Sequence, residues 1–245
     1  MVKILNITLK KKKYIVETSI GEYKLNEEVL VEYFIVKGKE FEDEVFAEII
    51  EFAEKNVFYL KAINFLSFKE RTKYEMEEYL IKKGLLNPEA IIDRLTEKGF
   101  INDARYAKNF FEYCLNNLKG PRHYKMELTK RKVDPNLIES ELLKYDFERE
   151  YDILLTLFKK TIRPKTISFN KYKKQLMDKF ARRGFSIYAI KEVLQNNIDE
   201  MLENIDEIGA LKKDYEKIKT LPKQKIITKL LQKGYNYGKI KDIVN

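Results

Sequence analysis

The chain has 245 residues, with 48 Lys+Arg against 39 Asp+Glu, a formal net charge of +9, one cysteine, one histidine and no tryptophan. A lone Cys114 excludes an intramolecular disulfide framework, and one Cys with one His excludes the usual zinc sites, which take several such ligands. With 9 Gly, 5 Pro, 44% hydrophobic and 36% charged residues, the composition reads as folded and helix-rich, not collagen-like, many-turned all-β or disordered.

Leu5, Ile7 and Leu9 alternate with polar residues, and Tyr14-Ile15-Val16-Glu17-Thr18 is β-branched-rich, the period-two pattern of strands. Lys10 to Lys13 reads as the polar turn between them, and Ile20 to Tyr23 can open a third short strand. A small β-hairpin or three-stranded sheet is expected. Met1 to Leu9 is too short and interrupted for a signal-peptide core, and no stretch nears the ~20 apolar residues of a membrane span. The expected location is therefore the cytoplasm, with no membrane partner.

Asn26 is placed to cap a helix with Glu27 and Glu28 in its first turn, broken by Lys37-Gly38-Lys39. Phe41, Val45, Phe46, Ile49, Ile50 and Ala53 then recur at helical steps. The other face of that helix carries Glu42, Asp43, Glu44, Glu48, Glu51 and Glu54. An acidic helix in a basic chain means that charge is segregated.

The remainder repeats. Leu80-Ile81-Lys82-Lys83-Gly84 returns as Phe180-Ala181-Arg182-Arg183-Gly184 and as Leu230-Leu231-Gln232-Lys233-Gly234, with a weaker copy, Leu128 to Lys132, that lacks the glycine. Each is followed by an aliphatic pair: Ile91 and Leu95, Ile138 and Leu142, Ile190 and Leu194, Ile240 and Val244. Steps of 48, 52 and 50 residues separate the copies, so a supersecondary unit is used four times. Each unit reads as a long helix, a middle helix ended by glycine at C′, and a short helix. Thr72 and Glu75 form a capping box, and Asn87-Pro88 and Asp134-Pro135 start short helices. The expected organisation is a β element with its acidic helix over residues 1–56, then repeats over 57–101, 102–147, 148–198 and 199–245. The fold class is mainly α, with three-helix repeats stacked into an elongated curved body.

Catalytic signatures are sparse. There is no phosphate loop, no Gly-x-Gly-x-x-Gly turn, no nucleophile elbow and no His-Glu-x-x-His helix. Cys114, among Phe110, Phe111, Tyr113 and Leu115, reads as a buried structural thiol, and His123, at a helix start beside Arg122 and Lys125, as either a phosphate contact or a surface residue without a role. Asn102-Asp103 and Asp134 are the carboxylate-bearing positions a nuclease would want, but each sits where a helix cap belongs. No catalytic residue, metal or cofactor is expected.

The basic stretches carry more information. Lys119, Arg122, Lys125, Lys130, Arg131 and Lys132 face one acid, Glu127. Lys159, Lys160, Arg163, Lys165, Lys171, Lys173, Lys174, Lys179, Arg182 and Arg183 face only Asp178. At ~100° per residue, Phe169, Tyr172, Leu176 and Phe180 share one side of a helix, while Lys171, Lys174 and Arg182 lie opposite. A cationic run on one helix is commonly a solvated face, and a Lys-rich proteome alone raises net charge. Two such segments in successive repeats favour a polyanion surface. The candidate nucleic-acid-binding residues are Lys119, Arg122, Lys125, Lys130, Arg131, Lys132, Lys171, Lys174, Lys179, Arg182 and Arg183.

Arg71-Thr72, Glu75-Met76, Leu80 and Lys83-Gly84 resemble the opening signature of the RecX regulatory proteins. Gly99-Phe100-Ile101-Asn102-Asp103 with Tyr106-Ala107 resembles that family's Gly-Tyr-Leu-Asp-Asp…Phe-Ala segment, and Lys119-Gly120 with Leu128 its next landmark. The likeness is strongest over residues 57–142. Asn102 stands where the family usually has Asp, and Lys132 replaces a glycine. The resemblance implies tandem three-helix repeats and a non-catalytic, monomeric modulator of RecA acting in recombination, DNA repair and the SOS response. It would lodge in the groove of the RecA filament on single-stranded DNA, with duplex DNA as a further partner. There it would limit filament growth, ATP hydrolysis, strand exchange and coprotease activity. The competing reading is a helical-repeat DNA- or RNA-binding protein with no recombinase partner.

Overall fold

The structure is a computed structural model describing residues 1–11 and 13–244; Lys12, in the expected hairpin turn, lies outside the described residues. Strands β1 (Val2–Lys10), β2 (Lys13–Thr18) and β3 (Gly21–Leu25) form an antiparallel meander. The short strand β4 (Glu40–Phe41), which periodicity does not reveal, pairs with β1 to give the order β3-β2-β1-β4. The inward face of β1 differs from the expected one. Val2 and Ile4 are buried and Leu5 is exposed, and the β1–β2 register shift between Ile4 and Asn6 then brings Ile7 against the core, while Leu9 near the strand end is exposed.

Helix α1 (Glu27–Glu32) starts after Asn26, whose side chain makes no capping hydrogen bond. It ends well before Gly38, in a Schellman turn. Phe34 adopts φ 49°, and the Ile35 N–H donates to the Leu30 carbonyl at 2.8 Å. Helix α2 (Asp43–Leu66) then runs unbroken through the expected boundary after residue 56. Phe41 lies in β4 and not in this helix, and Val45 is exposed. The acidic face is exposed as expected, while Phe46, Ile49 and Ala53 pack with the sheet residues Val2, Ile4 and Val16. Farther along, Tyr59 and Ala62 join a separate core with Met76, Leu80, Ile91 and Leu95. That core is closed by α3 (Lys73–Lys82), which starts with the Thr72/Glu75 capping box, and α4 (Glu89–Glu97). Pro88 is the N-cap of α4 and not its first helical residue.

The chain falls into two compact units, Met1–Tyr106 and Ala107–Asn245. The second holds most of α5 (Asp103–Asn116), then α6 (Pro121–Lys130) and α7 (Pro135–Leu142). Next come α8 (Phe147–Thr161), α9 (Phe169–Arg182) and α10 (Ile187–Asn196), whose buried Leu154, Phe158, Phe180, Phe185 and Ile190 share one core. Each such side chain contributes roughly 1.5–3 kcal/mol on removal from water. A short α11 (Ile198–Glu203), not apparent from the repeat pattern, precedes α12 (Glu207–Glu216), α13 (Lys223–Gln232) and α14 (Tyr237–Val244). The last three close around Leu211, Leu230, Tyr235 and Ile240.

All four middle helices end alike. Gly84, Gly184 and Gly234 take φ of 97°, 90° and 90°, and Lys132 takes 50° in the copy without glycine. The next residue, Leu85, Val133, Phe185 or Tyr235, sends its N–H back to the carbonyl of Leu80, Leu128, Phe180 or Leu230 and turns its side chain toward the core.

Candidate nucleic-acid interface

Within the second unit the middle helices α6, α9 and α13 join end to end. The Gly120 N–H donates to the Arg183 carbonyl at 2.9 Å and the Arg122 N–H to the Gly184 carbonyl at 3.0 Å. At the other end of α9, the Ser168 hydroxyl donates to the Lys233 carbonyl at 2.7 Å and the Asn170 amide to the Gly234 carbonyl at 3.1 Å. Carbonyls orphaned at one helix end thus find donors at the next helix start, backbone N–H groups at the first joint and side chains at the second. The first joint is tight enough that a Cβ on Gly120 would collide with the Gly184 backbone, and one on Gly184 with His123.

This joining makes α9 the middle member of a row. Tyr172, Leu176 and Phe180 are buried on its inner side, with Phe169 packed beside them, as the spacing predicts. Lys171, Lys174, Lys179 and Arg182 project outward and are exposed. Among the described residues, none of the ten cations from Lys159 to Arg183 has an ion-pair partner. Gln175, Asp178, Lys179 and Arg182 line a depression of about 310 Å³ with Lys165, whose ammonium lies 3.2 Å from Gln175 Oε1 and 5.4 Å from the centre of the Tyr172 ring. Arg183 is half-buried and donates to the Asn117 carbonyl at 3.0 Å, so its side chain ties the third repeat to the second.

The earlier basic stretch is different in kind. Glu127 takes Arg131 at 2.8 Å and Lys130 at 3.2 Å, and Lys125 pairs at 2.5 Å with Glu139 of α7. The charges on Lys130 and Arg131 in turn hold the Glu127 carboxyl below its ordinary pKa, chiefly through the Arg131 hydrogen bond. Lys119 is half-buried, whereas Arg122 and Lys132 are exposed. The un-neutralised cations therefore concentrate on α9 and its flanks. Three cations of the fourth repeat that the sequence reading does not single out, Lys213, Lys217 and Lys233, come together with Lys171. Lys213 and Lys217 each adjoin an acid along the chain, Asp214 and Glu216, which hides them from a count of local charge.

The remaining singled-out residues have structural roles. Asn102 Oδ1 accepts from the Arg105 N–H and Asp134 Oδ1 from the Asn136 N–H, both at 2.8 Å, and Asp103 Oδ1 accepts from the Lys73 N–H at 2.9 Å. Burial pushes the Asp103 carboxyl up, while the Lys73 bond opposes this. Cys114 is buried and its thiol is pushed up to about 12, so it has no reactive thiolate at neutral pH. His123 is half-buried with its ring 6.4 Å from that of Phe110, and burial together with the Lys119 charge lowers its pKa.

Residues 59–98 match the family model described as the first three-helix domain of RecX, and residues 102–142 match the second. A protein named Regulatory protein RecX from Staphylococcus aureus (strain JH9) is 30% identical over 87% of this chain and 83% of its own length. The chain belongs to the RecX family. Another RecX, from Streptococcus gordonii, is 29% identical across 99% of this chain and 98% of its own. A crystal structure of regulatory protein RecX superposes with a TM-score of 0.63 at 20% identity, covering 80% of this chain and all of that one, which establishes the common fold. The RecX family is named for regulation and not for an enzymatic activity. Among the described residues, no helix is long and apolar enough to cross a membrane.

Proposed function

We propose that this protein binds the RecA filament on single-stranded DNA, lodges in its helical groove, and restrains ATP hydrolysis, strand exchange and coprotease activity. Membership of the RecX family carries this reading, because the family resemblance names RecA as the regulated partner. The exposed cations of α9, which share their helix with a single carboxylate, Asp178, support a phosphate-contacting role for Lys171, Lys174, Lys179 and Arg182. Lys119, Arg122 and Arg183 would extend that surface toward the second repeat, Lys132 is a further candidate by its exposure, and Lys125, Lys130 and Arg131 would contribute less because their charges are already paired. The protein works by binding alone, as a cytoplasmic monomer.

The decisive assay titrates the protein against DNA-dependent ATP hydrolysis by RecA. The rate is expected to fall as the protein approaches stoichiometry with the filament. An unchanged rate at stoichiometric excess sinks the proposal, and tight sequence-selective binding to bare duplex would favour a nucleic-acid-binding protein without a recombinase partner.

A further inference from the structure

Lys171 of α9, Lys213 and Lys217 of α12, and Lys233 at the end of α13 line one cavity of about 290 Å³ between the third and fourth repeats. One carboxylate, Asp214, shares that lining. It accepts from Lys233 at 2.8 Å and from the Tyr235 hydroxyl at 3.0 Å, with Lys217 at 3.5 Å. Lys171 and Lys213 have no ion-pair partner among the described residues. Four lysines and one carboxylate in the lining leave a net positive charge in a recess, where counter-charge is attracted more strongly than on an open face. Two other lysines of the same repeat are held in ion pairs outside the cavity, Lys219 with Glu216 and Lys239 with Glu207.

We propose that this cavity is a socket for a phosphoryl group. Lysine binds phosphate as a compact point charge with rotatable donors, and lysines from three helices converge here. A nucleobase is a poor occupant. The cavity's one aromatic, Tyr235, is buried and its hydroxyl is tied to Asp214, so no ring face is offered for stacking. Asp214 acts as a positioning residue that fixes Lys233 on the wall. The phosphoryl group belongs either to a nucleic-acid backbone or to a free phosphate-bearing anion. The first source rests on the proposed function and deepens it, and the second does not.

The test uses the full chain, inorganic pyrophosphate followed by calorimetry, and a fluorescent single-stranded oligonucleotide followed by anisotropy. Wild type is expected to bind pyrophosphate saturably, and Lys213→Gln to weaken it on the order of tenfold, the usual effect of losing one charged hydrogen-bond donor. Lys225→Gln, an exposed cation outside the cavity, is expected to change nothing. If pyrophosphate displaces the oligonucleotide and Lys213→Gln weakens both, the socket holds a backbone phosphate. If Lys213→Gln weakens pyrophosphate alone, the socket stands with a free anion as occupant. Absence of saturable pyrophosphate binding, or equal loss in Lys213→Gln and Lys225→Gln, overturns the proposal. RecA-dependent ATP hydrolysis measured on the same wild-type sample reports separately on the filament reading.

Discussion

The α-carbon of Gly120 packs against the backbone of Gly184, with the Gly120 N–H bonded to the carbonyl just before it. Two helices of successive repeats meet there, and neither glycine has room for a methyl group.

Gly120→Ala is expected to destabilise the second unit by about 2–3 kcal/mol, because the collision is with backbone that cannot rotate aside. Gly184→Ala adds the strain of a left-handed φ to a collision with His123. Gly84 has an equally left-handed φ but open space around it, so Gly84→Ala should cost only about 1 kcal/mol. Urea unfolding midpoints of the three variants check the ranking. Equal losses would refute the close approach of Gly120 and Gly184.

Replacing Lys171, Lys174 and Arg182 together by Gln should weaken binding to single-stranded DNA and flatten its log–log salt dependence by about two units, since each phosphate contact contributes roughly 0.7. Their exposure predicts an unchanged fold, which circular dichroism would show. A salt slope equal to that of wild type would remove these residues from the interface.

His123 links stability to pH. Its folded pKa lies below the ordinary 6.5, through burial first and then the charges of Lys119, Lys130 and Arg131, with Glu127 opposing. The unfolded chain then binds the proton more readily, so this contribution is complete above 6.5 and is lost as the pH falls through the folded value. The urea midpoint of wild type should drop more than that of His123→Gln between about pH 7.5 and about pH 5.5. Parallel declines would exclude His123 as the source.

The repeat was legible because each copy ends its middle helix with the same turn, and the turn demands both a residue tolerating positive φ and a following apolar residue. The second half of that signal, Leu85, Val133, Phe185 and Tyr235, is what would have secured the weak copy lacking glycine. The β1 face was misread because a bulge between Ile4 and Asn6 changes side-chain parity, which alternation alone does not register. On the candidate site, the α9 face could be read from helical spacing, whereas the pairing of Lys125 with Glu139 could not. That contact joins two helices and depends on how they pack. Lys213 and Lys233 were invisible for the same reason: their meeting with Lys171 is tertiary.

Helix α2 serves two masters. Its first half completes the core of the sheet and its second half that of the first repeat, with the buried Asn56 at the changeover. At 24 residues it is ~36 Å of uninterrupted rod. A chimera that exchanged the N-terminal element between relatives at residue 56 would sever that rod and bare an apolar stripe on each fragment. The practical splice point lies beyond Leu66, where the helix has ended and the capping box of α3 has yet to begin.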